Sequence, residues 1–173
     1  MGRLILVAGE NSSGKSVFAE DLVCGLDGKR YYIATMIPAT EENAERIEKH
    51  RVRRRDMGFT TFEKGSDIGT LPIENGSVVL LEDVSNLLVN HIFIDGGDLE
   101  DALEDIKKVL DKCRICIAVT ISRFDWESDD EDTLDYMNQM MALNERLAEL
   151  ADVHVNMKDG APVIVKGDLK SVI

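Results

Sequence analysis

Two glycines, a lysine and a hydroxyl stand close together near the start of the chain, in Gly9-Glu10-Asn11-Ser12-Ser13-Gly14-Lys15-Ser16. The order is G-x-x-x-x-G-K-[ST], and each residue type has a use. Gly9 and Gly14 permit backbone angles that a side chain would obstruct, so successive N–H groups can converge on an anion. Lys15 would reach the β- and γ-phosphates of a nucleoside triphosphate, and the Ser16 hydroxyl would ligate Mg²⁺. The flanks fit: Leu4-Ile5-Leu6-Val7 reads as a buried strand, and Val17–Val23 returns apolar residues at helical spacing. The dipole of that helix adds positive potential at the loop.

Two further constellations could act on such a ligand. Glu82 and Asp83 end the apolar run Ser77-Val78-Val79-Leu80-Leu81. A carboxylate at the carboxyl end of a parallel strand can hold Mg²⁺, and Glu82 is the natural choice, with Asp83 competing from the opposite side. His50 lies in Arg46-Ile47-Glu48-Lys49-His50-Arg51-Val52-Arg53-Arg54. On a helix, Arg46, His50, Arg53 and Arg54 share a face. Arginines would bind a phosphate there, while the neighbouring cations keep the imidazole neutral and nucleophilic. Spacing alone allows a solvated basic face equally well. Cys113-Arg114-Ile115-Cys116 has C-x-x-C spacing but no second pair, and Cys116 is expected in the core. His91 and His154 lie in apolar surroundings and read as packed residues.

The elements that must position these groups alternate. Strands are expected at Leu4–Val7, Arg30–Thr35, Ser77–Asp83 and Ile115–Val119, with Phe59–Glu63 a short strand or ordered loop. Helices are expected after the glycine loop, from a Thr40 cap to about Met57, over Val84–Ile94, from Leu99 to Leu110, and over Thr133–Ala151. Asp125–Asp132 reads as an acidic, solvated loop. Val153–Met157 and Pro162–Lys166, joined around Asp159-Gly160, read as a terminal hairpin. The expected fold is α/β and P-loop NTPase-like. It would be a mostly parallel sheet flanked by helices, with a C-terminal antiparallel hairpin, in a single domain over residues 1–173.

Composition narrows the partners. A net charge of −13 over 173 residues argues against nucleic acid as the main partner, whereas the cluster from Arg46 to Arg55 suits a small anion. No apolar run approaches the roughly 20 residues of a membrane helix. An odd number of cysteines, three, suits the cytoplasm.

The ordered motifs together resemble the bifunctional adenosylcobinamide kinase/adenosylcobinamide-phosphate guanylyltransferase family of cobalamin biosynthesis. The resemblance rests on the N-terminal glycine loop, Tyr32-Ile33-Ala34-Thr35, Arg46-Ile47-x-x-His50-Arg51 followed by Arg54, Phe59-x-Thr61-x-Glu63, Leu80-Leu81-Glu82 with Asn90, and Asn144–Ala148 with Ala151-Asp152. It implies that ATP or GTP phosphorylates the aminopropanol hydroxyl of adenosylcobinamide. It further implies that GTP guanylylates a histidine, which passes GMP to adenosylcobinamide phosphate. By position, His50 would be that nucleophile, with Lys15 acting on the phosphates. Gly9, Glu10, Asn11, Ser12, Ser13, Gly14, Lys15, Ser16, Ala34, Thr35, Met36, Arg51, Arg54, Glu63 and Glu82 would surround the nucleotide, and Ser16 and Glu82 the Mg²⁺. A homo-oligomer, trimer or larger, is also implied. The chain departs from the family at Lys49, at Ser12, at Asp83 and over Ile121-Ser122-Arg123-Phe124, where corrinoid recognition would differ. The rival readings are a P-loop kinase for another small hydroxylated acceptor and a non-catalytic nucleotide-binding protein.

Overall fold

β-Branched and aliphatic residues alternate between two apolar clusters along each central strand, and this alternation builds the sheet. In β1 (Arg3–Gly9), Leu4 and Leu6 join one cluster while Ile5 and Val7 join the other. The computed structural model describes residues 1–38 and 40–173. Its strands are β1, β2 (Arg30–Ala34), β3 (Phe59–Glu63), β4 (Val78–Glu82), β5 (Ile115–Ile121), β6 (Val153–Lys158) and β7 (Ala161–Lys166), in one seven-stranded sheet of order β3-β2-β4-β5-β1-β6-β7. All neighbours run parallel except β6 and β7, which form the expected antiparallel hairpin. The expected α/β architecture is therefore present.

The helices cover both faces. Ala19 and Val23 of α1 (Lys15–Cys24) pack on one face, and α2 (Glu41–Arg54) lies beside α1. On the other face, α3 (Val84–Phe93), α4 (Leu99–Leu110) and α5 (Glu131–Leu150) enclose the larger cluster. Helix α2 is unlike the rest. Thr40 caps it by accepting from the Asn43 N–H, yet the one side chain it buries is Arg54.

One open expectation is decided and two boundaries move, for identifiable reasons. Phe59–Glu63 is a strand, because the aromatic residues pair across to β2: Phe62 stacks on Tyr31 and Phe59 meets Tyr32 edge-on. Strand β5 runs on through Thr120 and Ile121, since their parallel pairing with Ala8 and Gly9 continues the ladder. The Ser122 N–H then donates to the Gly9 carbonyl, so the following loop leaves beside the glycine loop. Helix α5 begins at Glu131, where Asp130 caps it through the Thr133 N–H and hydroxyl.

Candidate active site

The glycine loop joins β1 to α1 at the carboxyl edge of the parallel strands. Gly14 takes φ +89°, in the left-handed region, and opens the helix. A side chain on Gly9 would drive into the Ser13 hydroxyl, so the loop closes only around glycine at that position. The Lys15 ammonium folds back to donate to the Glu10 carbonyl at 2.8 Å. Burial lowers the Lys15 pKa, against the opposing pull of Asp83 and Glu82.

One cavity gathers most of the predicted residues. Asn11, Ser12, Lys15 and Ser16 reach it from the loop, Ala34 and Met36 from the end of β2, and Glu82 and Asp83 from β4. Arg46, His50 and Arg54 face it from α2, and Glu63 from β3. The Ser16 hydroxyl donates to the Glu82 carboxylate, which also accepts from the Tyr32 hydroxyl at 3.1 Å. Glu82 keeps some exposure to the cavity but lies deep in it, and desolvation pushes its carboxyl up to about 7. Asp83 instead caps α3 through the Asn86 N–H, which separates the two acids by role.

The α2 residues divide sharply. Arg54 turns inward and lays its guanidinium 3.4 Å from the centroid of the Tyr32 ring. Its Nε and Nη1 are buried without a hydrogen-bond partner among the described residues, as suits a group awaiting an anion. Arg51 stays exposed, does not line the cavity, and pairs with Glu63, which does. Thr35 is fully buried: its hydroxyl donates to the Asp83 carbonyl and accepts the Asp83 N–H, both at 2.8 Å, holding β2 and β4 in register. Glu10 faces away and pairs with Arg123.

His50 faces Glu20, a residue that motif reasoning missed. Ligand atoms of Glu20, His50 and Glu82 all lie within 4.8 Å of one another. Glu20 is buried and accepts from Arg53 Nη2 at 2.9 Å, and the same nitrogen lies 3.4 Å from His50 Nδ1. Burial lowers the His50 pKa first, and Arg53, Arg54 and Arg46 lower it further. The imidazole is thereby neutral at pH 7, with a lone pair available. The signal for Glu20 was its place in α1, one turn after Ser16 on the inward stripe with Ala19 and Val23.

The remaining polar residues hold the frame. His91 Nε2 lies 2.9 Å from Asp105, which also accepts the N–H groups of Ile68 and Gly69. Asn144 accepts from Thr120 and donates to the Ile121 carbonyl, fixing the end of β5. Cys116 is fully buried in the core as expected, with all three cysteines free.

A G-x-x-x-x-G-K-[ST] loop on a parallel sheet, with a cation-lined cavity and a histidine beside it, defines a P-loop-like α/β protein. A family model, cobinamide kinase / cobinamide phosphate guanyltransferase, matches residues 5–165, and the chain belongs to that family. The bifunctional adenosylcobalamin biosynthesis protein CobU of Escherichia coli (strain K12) is 34% identical over 132 residues, covering 68% of this chain and 72% of the relative. A solved Pyrococcus horikoshii OT3 protein shares the fold with a TM-score of 0.58 at 9% identity, over 99% of this chain and 89% of that one.

Proposed function

We propose that a single domain, residues 1–173, carries both reactions of its family, with His50 as the guanylyl carrier. In the kinase step the acceptor hydroxyl of cobinamide attacks the γ-phosphorus of ATP or GTP. Lys15 and the glycine-loop amides hold the phosphates while the nucleoside diphosphate leaves. In the second reaction an imidazole nitrogen of His50 attacks the α-phosphorus of GTP, an N–P bond forms, and pyrophosphate departs. The phosphate oxygen of cobinamide phosphate then attacks the same phosphorus, the N–P bond breaks, and His50 is regenerated.

The observation that carries this reading is the meeting of His50, Arg46 and Arg54 with Lys15 and Ser16 in one cavity. The unpartnered Arg54 guanidinium supports an anionic ligand there. Ser16 and Glu82 offer hard oxygen donors, already in contact, which fit Mg²⁺. When bound, the ion would neutralise charge on the β- and γ-phosphates. Three free thiols support a reducing cytoplasm. Exposed Val163, Ile164 and Val165 on β7 support a homo-oligomer, trimer or larger, whose size light scattering would measure.

The test is incubation with [α-³²P]GTP. Acid-labile, base-stable label on the wild type, absent from His50→Ala, is expected. Label persisting in the variant would remove His50 from the role.

A further inference from the structure

The loop from Ser122 to Asp130 adds two aromatic rings to two from α3 and α5, and the four form one run. Phe93 of α3 lies 6.2 Å from Tyr136 of α5, Tyr136 lies 5.7 Å from Phe124, and Phe124 lies 5.3 Å from Trp126, centroid to centroid. Tyr136 is buried, and partly buried Phe124 packs against the main core, so these two rings anchor the run. The rings at its ends are presented outward: Phe93 is 53% exposed and Trp126 is 44% exposed. Two hydrogen bonds tie the run to the cavity wall. The Tyr136 hydroxyl donates to the Ser85 carbonyl, and the Ser85 hydroxyl donates to Asp83, a lining residue. Around Trp126 stand exposed carboxylates, among them Asp125, Glu127, Asp129 and Asp130.

We propose that this aromatic run, with its carboxylate rim, is the surface on which the corrin ring of cobinamide lies, an inference that rests on the cobinamide reading above. A cobalt corrinoid is a broad, flat macrocycle with apolar faces, a fringe of primary amides and a net positive charge. Aromatic plates match the face. Carboxylates accept the amide N–H groups and match the charge. The reacting hydroxyl sits on a flexible arm of the macrocycle, so a ring seated here leaves the arm free to enter the cavity past Asp83 and Asn86. Nucleotide and corrinoid then occupy adjoining surfaces, as a direct transfer requires.

Trp126 is the chain's one tryptophan, and it supplies its own probe. Cobinamide added without nucleotide should quench Trp126 fluorescence saturably, because corrinoids absorb in the emission range of indole. Trp126→Ala should raise KM for cobinamide about tenfold while KM for GTP stays fixed, and Trp126→Phe should restore most of the loss. Unchanged KM for cobinamide in Trp126→Ala, with the wild type turning cobinamide over, would overturn this surface alone. A wild type that makes no corrinoid product would remove the substrate reading and this surface with it.

Discussion

Arg53 and Glu20 form an ion pair at 2.9 Å that joins the helix carrying His50 to the helix that begins at the glycine loop. Glu20 is 1% exposed at its side chain, and Arg53 is 38% exposed. The pair fixes how α2, with its imidazole, sits against α1 and the glycine loop. Glu20→Gln should therefore slow guanylylation of His50 at least tenfold while reducing cobinamide phosphorylation much less. Breaking a buried pair costs about 3–5 kcal/mol, and the open side of Arg53 puts this one at the lower end. Single-turnover labelling compared with kinase turnover measures the split; equal losses in both would show that Glu20 serves the fold alone.

The Glu82 carboxyl, at about 7, predicts a pH-dependent stability. Its folded value is raised, so the folded state holds the proton more tightly than the unfolded chain. The resulting stability is fully present below the ordinary glutamate range and is lost as pH rises through about 7. The loss is at most about 3 kcal/mol. Melting temperature without nucleotide should fall between pH 5 and pH 8, and Glu82→Gln should flatten that fall. A slope that survives in the variant would assign it to another group.

His50 titrates in the opposite sense. Its pKa is lowered, and in the proposed reaction the neutral ring attacks, so labelling should persist to pH values below the usual imidazole midpoint. Removing one cation relieves the repulsion felt by the imidazolium and raises its pKa. Arg46→Gln should accordingly move the acidic limb of the labelling profile to higher pH. An unmoved limb would remove Arg46 from the groups that set it.

Arg54→Lys keeps the charge but loses the planar group that stacks on Tyr32 and presents Nε and Nη1 inward. KM for GTP should rise about tenfold, as befits a charge-assisted hydrogen bond. Arg51→Lys, outside the cavity, should change it by less than about twofold. Matching effects in the two variants would contradict the division of roles on α2.

Lys15→Ala should lower both activities by about a hundredfold or more, since the proposed mechanism gives the same cavity-lining ammonium the phosphates in each. Steady-state rates on cobinamide and [α-³²P]GTP labelling test it together. Undiminished kinase turnover would discredit the glycine loop as the phosphate site.

Much of this was legible in the residues because local rules and the fold agree. The order strand, glycine loop, helix is written in Leu4–Val23, and the buried strands at Val78 and Ile115 are continuous apolar runs. What stayed hidden depends on tertiary placement. The helical spacing of α2 cannot say that Arg54 turns inward while Arg51 turns out, because that is decided by the Tyr32 ring beneath and by Glu63 alongside. The place of Glu20 on the inward stripe of α1 follows from spacing, but its partner does not, because Arg53 comes from the neighbouring helix. Asp125–Asp132 reads only as solvated charge, since the rings that give the loop its apolar side come from Phe93 and Tyr136, far away in sequence. Thr120 and Ile121 read as a loop because their pairing partners, Ala8 and Gly9, belong to the first strand.

Helix α2 buries no aliphatic side chain; what fastens it are the Arg53 and Arg51 ion pairs and the stacked Arg54. Electrolyte in the medium weakens the exposed Arg51 attachment and reaches the pair at buried Glu20 far less. The outer side of α2 thus answers to ionic strength, while its inner side and the sheet underneath do not.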